Sequence, residues 1–348
     1  MAKRVYLDWN ATTPLRPEAR EAMIAAMDVS GNPSSVHAEG RLAKGVMERA
    51  RAQVASALGA EAADVVFVSG ATEAAALALA GRGLSCSGLE HDAVRAWCVE
   101  DLAVGADGLV AVADPSRATL QIANSETGIV QRLPEGLAVA DLTQGFGKLP
   151  MAFDWMGIDI ALVSAHKLGG PKGVGALVIR RGLDVAAQLK GGGQEMGRRA
   201  GTENLIGIAG FGAAAEAAQR DLAEGVWQQV AKLRNILDAA LSGGESRTIS
   251  LGQGADRLPN TLCLVTPGWK GETQVMQMDL AGFAVSAGSA CSSGKVKASH
   301  VLQAMGLDEV AASSALRVSL GPQTSEEDVM RFAESWAKAR DKAVARMI

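Results

Sequence analysis

The chain has 348 residues, 48% of them hydrophobic, and its 34 basic and 38 acidic residues give a net charge of −4. This length predicts two domains, or one large domain with an appendage, around a sizeable core. Because the charges are balanced and no block of Lys or Arg stands out, the composition argues against a nucleic-acid-binding protein. The 40 glycines and many alanines favour tight turns and helices packed on a sheet.

Targeting and metal-binding signals are not apparent in the sequence. Residues 1–8 contain no apolar core long enough for a signal peptide, and no window approaches about 18 consecutive apolar residues. We therefore expect a cytoplasmic protein with no membrane partner. The cysteines show no C-x-x-C spacing and the histidines are scattered, so free thiols are expected rather than disulfides or a zinc site, at Cys86, Cys98, Cys263 and Cys291.

The N-terminal part predicts helices and a first strand. Residues 5–13 form an extended segment that ends at a proline, and a helix is expected over 17–28. The loop at 31–37 is rich in Gly, Asn, Pro and Ser. Apolar residues near the helical period predict a helix over 38–58, and an apolar run predicts a strand over 64–68.

A candidate anion site follows this strand. The segment Ser69-Gly70-Ala71-Thr72-Glu73 turns from the strand into an alanine-rich helix. The first amides of a helix have no partner within it and the helix dipole favours negative charge there, so this turn can hold a phosphate, with Thr72 as a further donor. Alternatively, Ser69 or Thr72 serves only to cap the helix.

Two further strands lead into polar side chains. The strand candidate at 84–87 is followed by His91, which alternatively caps a helix or lies on the surface. An apolar strand at 120–123 is followed by Asn124 and Ser125. These residues are therefore candidates for a site.

Another strand, over 137–141, ends in an acid. Asp141 is a candidate site residue unless it only caps a turn or a helix. Only twelve residues separate Gly128 from Asp141, too few for the helical crossover that normally joins parallel strands. The fold is therefore expected to be trimmed at this connection.

The most informative segment runs from Val163 to Gly173. An apolar strand at 158–163 ends in His166-Lys167, followed by glycines and a proline. A lysine at a strand end is held still, as a Schiff-base lysine must be, because its amine has to be fixed and partly desolvated to act as a nucleophile. A solvated turn lysine is the alternative.

The pattern changes in the last third of the chain. A strand at 174–180 and a long helical region over 203–242 come first. Shorter elements then alternate, at 261–266, 271–281, 283–287, 298–305 and 316–320, with a closing helix from about 324. We therefore predict a large domain over 14–246 and a smaller α/β domain formed by 1–13 and 247–348.

Two residues of the smaller domain are candidates for chemistry. Cys291 lies in the segment 286–295, made up largely of Ser, Gly and Ala, beside lysines that favour a thiolate. An inert buried thiol is the alternative, but such thiols lie in apolar runs, as Cys263 does. Arg317, inside an apolar strand, requires a carboxylate, either that of an amino-acid substrate or that of a structural ion pair.

Together these segments resemble the cysteine desulfurases (NifS/IscS-like) of aminotransferase class V, which are fold type I pyridoxal-phosphate enzymes. The matching motifs lie in family order between residues 6 and 321, at Tyr6-Leu7-Asp8, Ala11-Thr12-Thr13-Pro14, Gly31-Asn32-Pro33-Ser34-Ser35, His166-Lys167, Arg199-Ala200-Gly201-Thr202 and Gly288-Ser289-Ala290-Cys291. A plain surface turn remains an alternative for the loop at 31–35. The resemblance implies an α/β fold, with a large domain whose mostly parallel mixed sheet is flanked by helices and a smaller α/β domain.

The resemblance implies a pyridoxal 5'-phosphate site. Lys167 would bind the cofactor as a Schiff base, His91 would stack on its ring and pass protons, and Asp141 would keep the ring nitrogen protonated. Gln144 would contact the phenolic oxygen beside Asn124, but Ser125 stands where the family usually has asparagine, so cofactor affinity or electronics is expected to differ. The phosphate contacts would come from Ala71, Thr72, Ser164, His166 and, in the neighbouring subunit's site, Thr202.

The resemblance also implies a reaction. Cys291 would attack the sulfur of L-cysteine, leaving a persulfide on the enzyme and L-alanine, with Lys167 and His91 as the other catalytic residues. Arg317 and Asn10 would bind the substrate. The sulfur would pass to an acceptor protein for iron–sulfur cluster assembly or thiolation, with no resident metal beyond a transient iron–sulfur contact through Cys291. The expected role of Thr202 implies a homodimer.

Two alternatives stay open. The chain could be a related pyridoxal-phosphate lyase or aminotransferase, such as a selenocysteine lyase. It could also be a trimmed, weakly active member that serves as a binding scaffold for sulfur acceptors, an idea that the short crossover and Ser125 motivate.

Overall fold

The computed structural model describes residues 4–242, 248–288 and 298–346. Up to residue 180 the strands lie close to the predicted positions, except for a strand over 99–102 that was not predicted, and the helix over 38–58 has the predicted bounds. In chain order the elements are β1 (Val5–Tyr6), α1 (Pro17–Met27), α2 (Ala38–Leu58), β2 (Ala63–Val68), α3 (Ala71–Leu79), β3 (Ser85–Ser87), α4 (Asp92–Arg95), β4 (Val99–Leu102), β5 (Thr119–Gln121), β6 (Val139–Asp141), β7 (Ile160–Ser164) and β8 (Gly175–Arg180).

Beyond residue 180 the structure corrects two predictions. The helical region expected over 203–242 is two helices, because Gly225 adopts φ 76° between them. The single strand expected over 283–287 is two short strands that belong to different sheets. The elements are α5 (Leu205–Ala223), α6 (Val226–Ser242), β9 (Ile249–Ser250), β10 (Thr261–Val265), α7 (Gly271–Leu280), β11 (Phe283–Ala284), β12 (Ser286–Ala287), α8 (His300–Ala304), α9 (Glu309–Ala312), β13 (Ala315–Ser319) and α10 (Glu326–Val344).

A five-stranded mixed sheet, in the order β2-β8-β7-β6-β5, forms the centre of the first part. Strands β5, β6 and β7 are parallel, and β8 is antiparallel to both of its neighbours. Helices α1, α2 and α5 pack on one face and α3 on the other, so the central strands are apolar and buried. The carboxyl ends of the three parallel strands lie along one edge, which we call the catalytic edge.

The connection from β5 to β6 contains no helix, which confirms the predicted trimming. The chain instead leaves the central sheet and contacts the loop before β10. Leu258 N–H donates to Gly128 O at 2.7 Å, and Val130 N–H donates to Asp256 O at 2.8 Å. The short crossover therefore joins the central sheet to the part of the chain that contains β10.

A four-stranded antiparallel sheet, in the order β12-β13-β10-β9, lies in the second part. The N-terminal strand β1 pairs in parallel with β11 in a separate two-stranded sheet, so the N-terminal segment packs here as expected. Residues of α6, α7 and α10 cover these strands around the fully buried Trp336. The domain bounds drawn from the sequence stay a prediction. None of the described helices is long and apolar enough to cross a bilayer.

Candidate active site

A cavity of about 640 Å³ opens at the catalytic edge and reaches the start of α3 and strand β13. The structure brings twelve of the predicted site residues to its wall, although their roles remain predictions. These residues are Asn10, Ala71, Thr72, His91, Asn124, Ser125, Asp141, Gln144, Ser164, His166, Lys167 and Arg317.

Lys167 lies in a short 3-10 turn directly after β7. Its Nζ donates to the carbonyl oxygens of Asn10 at 2.6 Å and Ala11 at 2.9 Å, so the amine is not a solvated turn lysine. Burial, and secondly the charge of Arg317, lower its pKa to about 8, against the opposing effect of Asp141 and other carboxylates. A useful fraction of this amine is therefore neutral near neutral pH.

The neighbouring His166 is also held in place. Its Nδ1 lies 3.2 Å from Thr12 Oγ1. Burial and the charges of Lys167 and other lysines lower the pKa of the imidazole to about 4, so the ring is neutral at physiological pH. It can therefore offer a neutral hydrogen bond to an anion in the cavity.

The predicted anion site lies at the start of α3, and its anion-binding role stays a prediction. No side chain caps this helix at Gly70, so the capping alternative is not what the structure has. Ser69 N–H is instead covered by Glu73 Oε2 at 2.8 Å. Ala71 and Thr72 open the helix at the cavity wall, where the first amides and the helix dipole favour an anion.

Asp141 ends β6 and has a second role as a turn cap. Its Oδ1 accepts from Thr143 N–H at 2.8 Å, and the residue also lines the cavity. The capping alternative is thus correct but does not exclude a ligand contact.

Glu90 lines the same cavity as Asp141 and was not found from the sequence. It is fully buried, its Oε1 accepts from Gln121 N–H at 2.7 Å, and its Oε2 has no partner among the described residues. Burial, and then the charge of Asp141, raise the pKa of Glu90 well above its usual range. Burial beside another carboxyl therefore favours the protonated form of Glu90. Its place beside His91 was the only sequence signal.

His91 caps α4, as the alternative proposed, since its Nδ1 accepts from Ala93 N–H at 3.1 Å. The same ring lines the cavity, and this bond leaves Nε2 for a ligand or a proton. Asn124 stabilises its own loop: its Oδ1 accepts from the amides of Glu126 and Thr127, both at 2.9 Å. Ser125 also lines the cavity, and its carbonyl accepts from Asn10 Nδ2.

Asn10 joins the two sheets at the cavity. Its Nδ2 donates to Ser125 O at 3.0 Å and Thr261 Oγ1 at 2.8 Å, and its Oδ1 accepts from Asn260 Nδ2 at 3.0 Å and Lys148 Nζ at 3.2 Å. The amide therefore has all of its hydrogen-bonding capacity in use. The substrate contact expected of Asn10 remains a prediction that none of these bonds supports.

Arg317 on β13 forms the structural ion pair that was the alternative. Its Nη2 lies 2.7 Å from Asp8 Oδ1, and its Nη1 donates to Ser125 O at 3.3 Å. The buried Nε has no acceptor among the described residues, although the residue lines the cavity. Arg317 thus still has one donor, Nε, for a carboxylate, while both of its terminal nitrogens are already engaged.

Two predicted residues are not at this wall. Cys291 lies outside the described residues, although Gly288, just before its segment, lines the cavity. Thr202 lines a small separate cavity together with Ser69 and Arg199. Cys263 is buried as expected, and burial raises the pKa of its thiol well above the usual range. In the described ranges, no group of three or more His, Cys, Asp or Glu could hold a metal ion.

Known proteins share this fold and sequence. The chain matches the aminotransferase class V family over residues 5–94 and 114–332. It is 39% identical to a cysteine desulfurase of Cereibacter sphaeroides over an alignment of 370 positions, gaps included, which covers 95% of this chain and 94% of the relative. A NifS-like protein from Rickettsia africae superposes with a TM-score of 0.88 at 31% identity, over 97% of this chain and 99% of that one.

A structure described as SspA in complex with cysteine superposes with a TM-score of 0.76 at 28% identity, over 92% of this chain and all of that chain. These similarities confirm the fold class expected from the sequence. They extend over the five-stranded and the four-stranded sheets and include every segment that lines the described cavity. The chain therefore belongs to the aminotransferase class V family, among its cysteine desulfurases.

Proposed function

We propose that this protein removes sulfur from L-cysteine with pyridoxal 5'-phosphate bound at Lys167. The observation that carries the proposal is the Lys167 amine, fixed by two carbonyl oxygens in a cavity, with a pKa lowered to about 8. A nucleophilic lysine needs this combination of immobility and a neutral fraction. Relatives named cysteine desulfurase support the choice of substrate.

The cavity wall fits this cofactor. The uncapped start of α3, with Ala71, Thr72 and the nearby Ser164, suits the phosphate. At the other end, the Asp141 carboxyl lines the cavity and suits a protonated ring nitrogen. When bound, pyridoxal phosphate supplies an electron sink for negative charge at the substrate Cα. His91 and Gln144 would contact its ring and its phenolic oxygen.

The protein's own groups would bind the substrate and move the protons. Arg317 Nε, which lacks an acceptor among the described residues, would hold the α-carboxylate of cysteine. Lys167 would move the Cα proton, since its lowered pKa lets the amine act as a base near neutral pH. The neutral His166 would keep that region free of further positive charge.

Cys291 would be the sulfur acceptor on the enzyme. Its thiolate would attack the substrate sulfur, an S–S bond would form as the C–S bond breaks, and the electron pair and a proton at the former substrate carbon would yield L-alanine. The persulfide would then pass its sulfur to an acceptor protein for iron–sulfur cluster assembly or thiolation. We further propose a cytoplasmic homodimer in which Thr202 serves the neighbouring subunit's phosphate site.

The test is an assay of purified protein with pyridoxal phosphate and L-cysteine, in which alanine and sulfide are measured. We expect both products, and we expect Cys291→Ala to abolish sulfur release while cofactor binding persists. If wild-type protein binds the cofactor but forms no alanine from cysteine, the proposal is wrong.

The helix-free crossover after β5 and Ser125 favour a second candidate, a weakly active scaffold for sulfur acceptors. Cofactor absorbance without alanine formation would support it. A selenocysteine lyase would instead release selenium even as Cys291→Ala, and this variant therefore separates the two enzyme activities.

A further inference from the structure

Lys148 is a buried lysine that the proposed reaction does not use. It lies in the turn that follows β6, and only 2% of its surface is exposed. Its Nζ donates to Gln144 Oε1 at 2.8 Å and to Asn10 Oδ1 at 3.2 Å. Both acceptors are neutral, and no carboxylate of a described residue forms an ion pair with this amine. A buried lysine is normally paired, so this arrangement needs an explanation.

The charged groups that face Lys148 make its position less favourable. Burial first, and then the positive charges of Lys167 and Arg317, lower its pKa well below the usual range. A buried amine whose two acceptors are both neutral therefore has little to stabilise its charged form. A negative group entering the cavity would reverse this balance, because it would favour the charged form of a nearby amine.

Lys148 also controls how a cavity residue is oriented. The Lys148 amine donates to Gln144 Oε1, so the oxygen of that amide faces Lys148 and its Nε2 faces away. Gln144 Nε2 then donates to Asn10 O at 3.0 Å, the same carbonyl that accepts from Lys167 Nζ at 2.6 Å. The donor end of the Gln144 amide is thereby turned towards the Lys167 side of the cavity.

We propose that Lys148 is a positioning residue for the anionic ligand of the cavity: it fixes the Gln144 amide with its N–H groups on the cavity side, and the bound anion supplies the counter-charge that Lys148 lacks. This inference rests on the proposed function, because the anion is the pyridoxal-type cofactor. It predicts that Lys148 takes up a proton when that ligand binds.

The probe is pyridoxamine 5'-phosphate, which has no aldehyde and leaves Lys167 unmodified. Proton uptake on binding is measured by titration calorimetry in buffers of different ionisation enthalpy. We expect Lys148→Met to bind about tenfold more weakly or worse and to take up fewer protons than wild type, by up to about one per site. Lys232→Met, at an exposed lysine on α6, should match wild type in both.

A second variant keeps the test valid if Lys148→Met does not fold. Gln144→Glu places a carboxylate against Lys148, so the amine is charged before the ligand arrives, and proton uptake should again fall. Equal proton uptake by wild type and the Lys148 or Gln144 variant overturns the inference, whatever the affinities. Failure of wild type to bind either pyridoxal phosphate or pyridoxamine phosphate would instead contradict the proposed function.

Discussion

Buried ionisable side chains are incompletely paired at the catalytic edge, whereas Asp238 and Arg257 beneath the four-stranded sheet are paired with each other. At the edge, the fully buried carboxyls of Glu90 and Glu126 each leave one oxygen without a partner among the described residues, and Lys148 has only neutral acceptors. Beneath the small sheet, Arg257 Nη2 lies 2.9 Å from Asp238 Oδ2, and Ser242 Oγ donates to Asp238 Oδ1 at 2.9 Å.

This difference in pairing distinguishes side chains that would bind a ligand from side chains that stabilise the fold. Burial would raise the pKa of Asp238, but hydrogen bonds from Arg257 and Ser242 outweigh it and lower the pKa. Burial raises the pKa of Glu126 to about 7, despite a bond from Ser299 and the charge of Arg317. Perturbed and incompletely paired groups gather where a ligand is expected, whereas the satisfied pair lies away from the cavity.

The largest expected effect is at Lys167. Lys167→Ala removes the amine on which the edge is organised, so alanine formation from cysteine should fall by about a thousandfold or more. Thermal unfolding should change little, because this amine binds only carbonyl oxygens. Lys232→Ala is the matched control and should keep full activity. A Lys167→Ala protein with more than about a tenth of wild-type activity would contradict the account.

Breaking the satisfied pair should have the opposite signature. Asp238→Ala leaves the part-buried Arg257 guanidinium without its carboxylate partner, and we expect unfolding in urea to show a loss of about 1–3 kcal/mol. Activity per folded molecule should remain that of wild type. A large loss of activity with unchanged stability would contradict the assignment of Asp238 and Arg257 to fold stability.

Gly288 links the cavity to the second sheet through a close contact. A Cβ at this position would lie 2.2 Å from Glu126 Oε1, which is buried and cannot move freely. Gly288→Ala should therefore cost about 1–3 kcal/mol in urea unfolding. Gly193→Ala, where a Cβ meets nothing within 4 Å, is the control. Equal stability of the two variants would show that Glu126 yields easily.

The smallest effect at neutral pH is expected for Glu90. Folding raises the pKa of Glu90, so the protonated carboxyl keeps its full contribution to folding stability below about pH 4.5, the pKa of the unfolded chain. That contribution is lost as the pH rises towards the folded pKa. Glu90→Gln should therefore match wild type in Tm near pH 4.5 and exceed it increasingly towards pH 8. A Tm difference that does not change with pH would show that Glu90 is already charged in the fold.

The sequence predicted local features better than burial and pairing. The bounds of α2 followed from apolar residues that recur near the helical period over 21 residues. Strand β7 and the position of Lys167 followed from an apolar run that is followed by glycines. The break at Gly225 was missed because both flanking segments are helical in pattern. Residues 283–287 were read as one strand because sequence periodicity does not show that their two halves pair with β1 and β13.

The missed site residues have a common reason. Glu90, Glu126 and Lys148 are polar residues that would ordinarily be assigned to the surface, and only the packed fold buries them. Their neighbours come from distant segments, as Asn10 and Lys148 do. Asp141 was identified because an apolar run ends in this acid, and Ser164 was implied only by the resemblance to the family.

The central claim is that the cofactor joins the protein at Lys167, and one measurement tests it directly. Protein loaded with pyridoxal phosphate is reduced with borohydride, digested and analysed by mass spectrometry. The account predicts a pyridoxyl group on the peptide that contains Lys167. Its appearance on Lys148 or Lys172 instead, or on no peptide at all, would contradict the account.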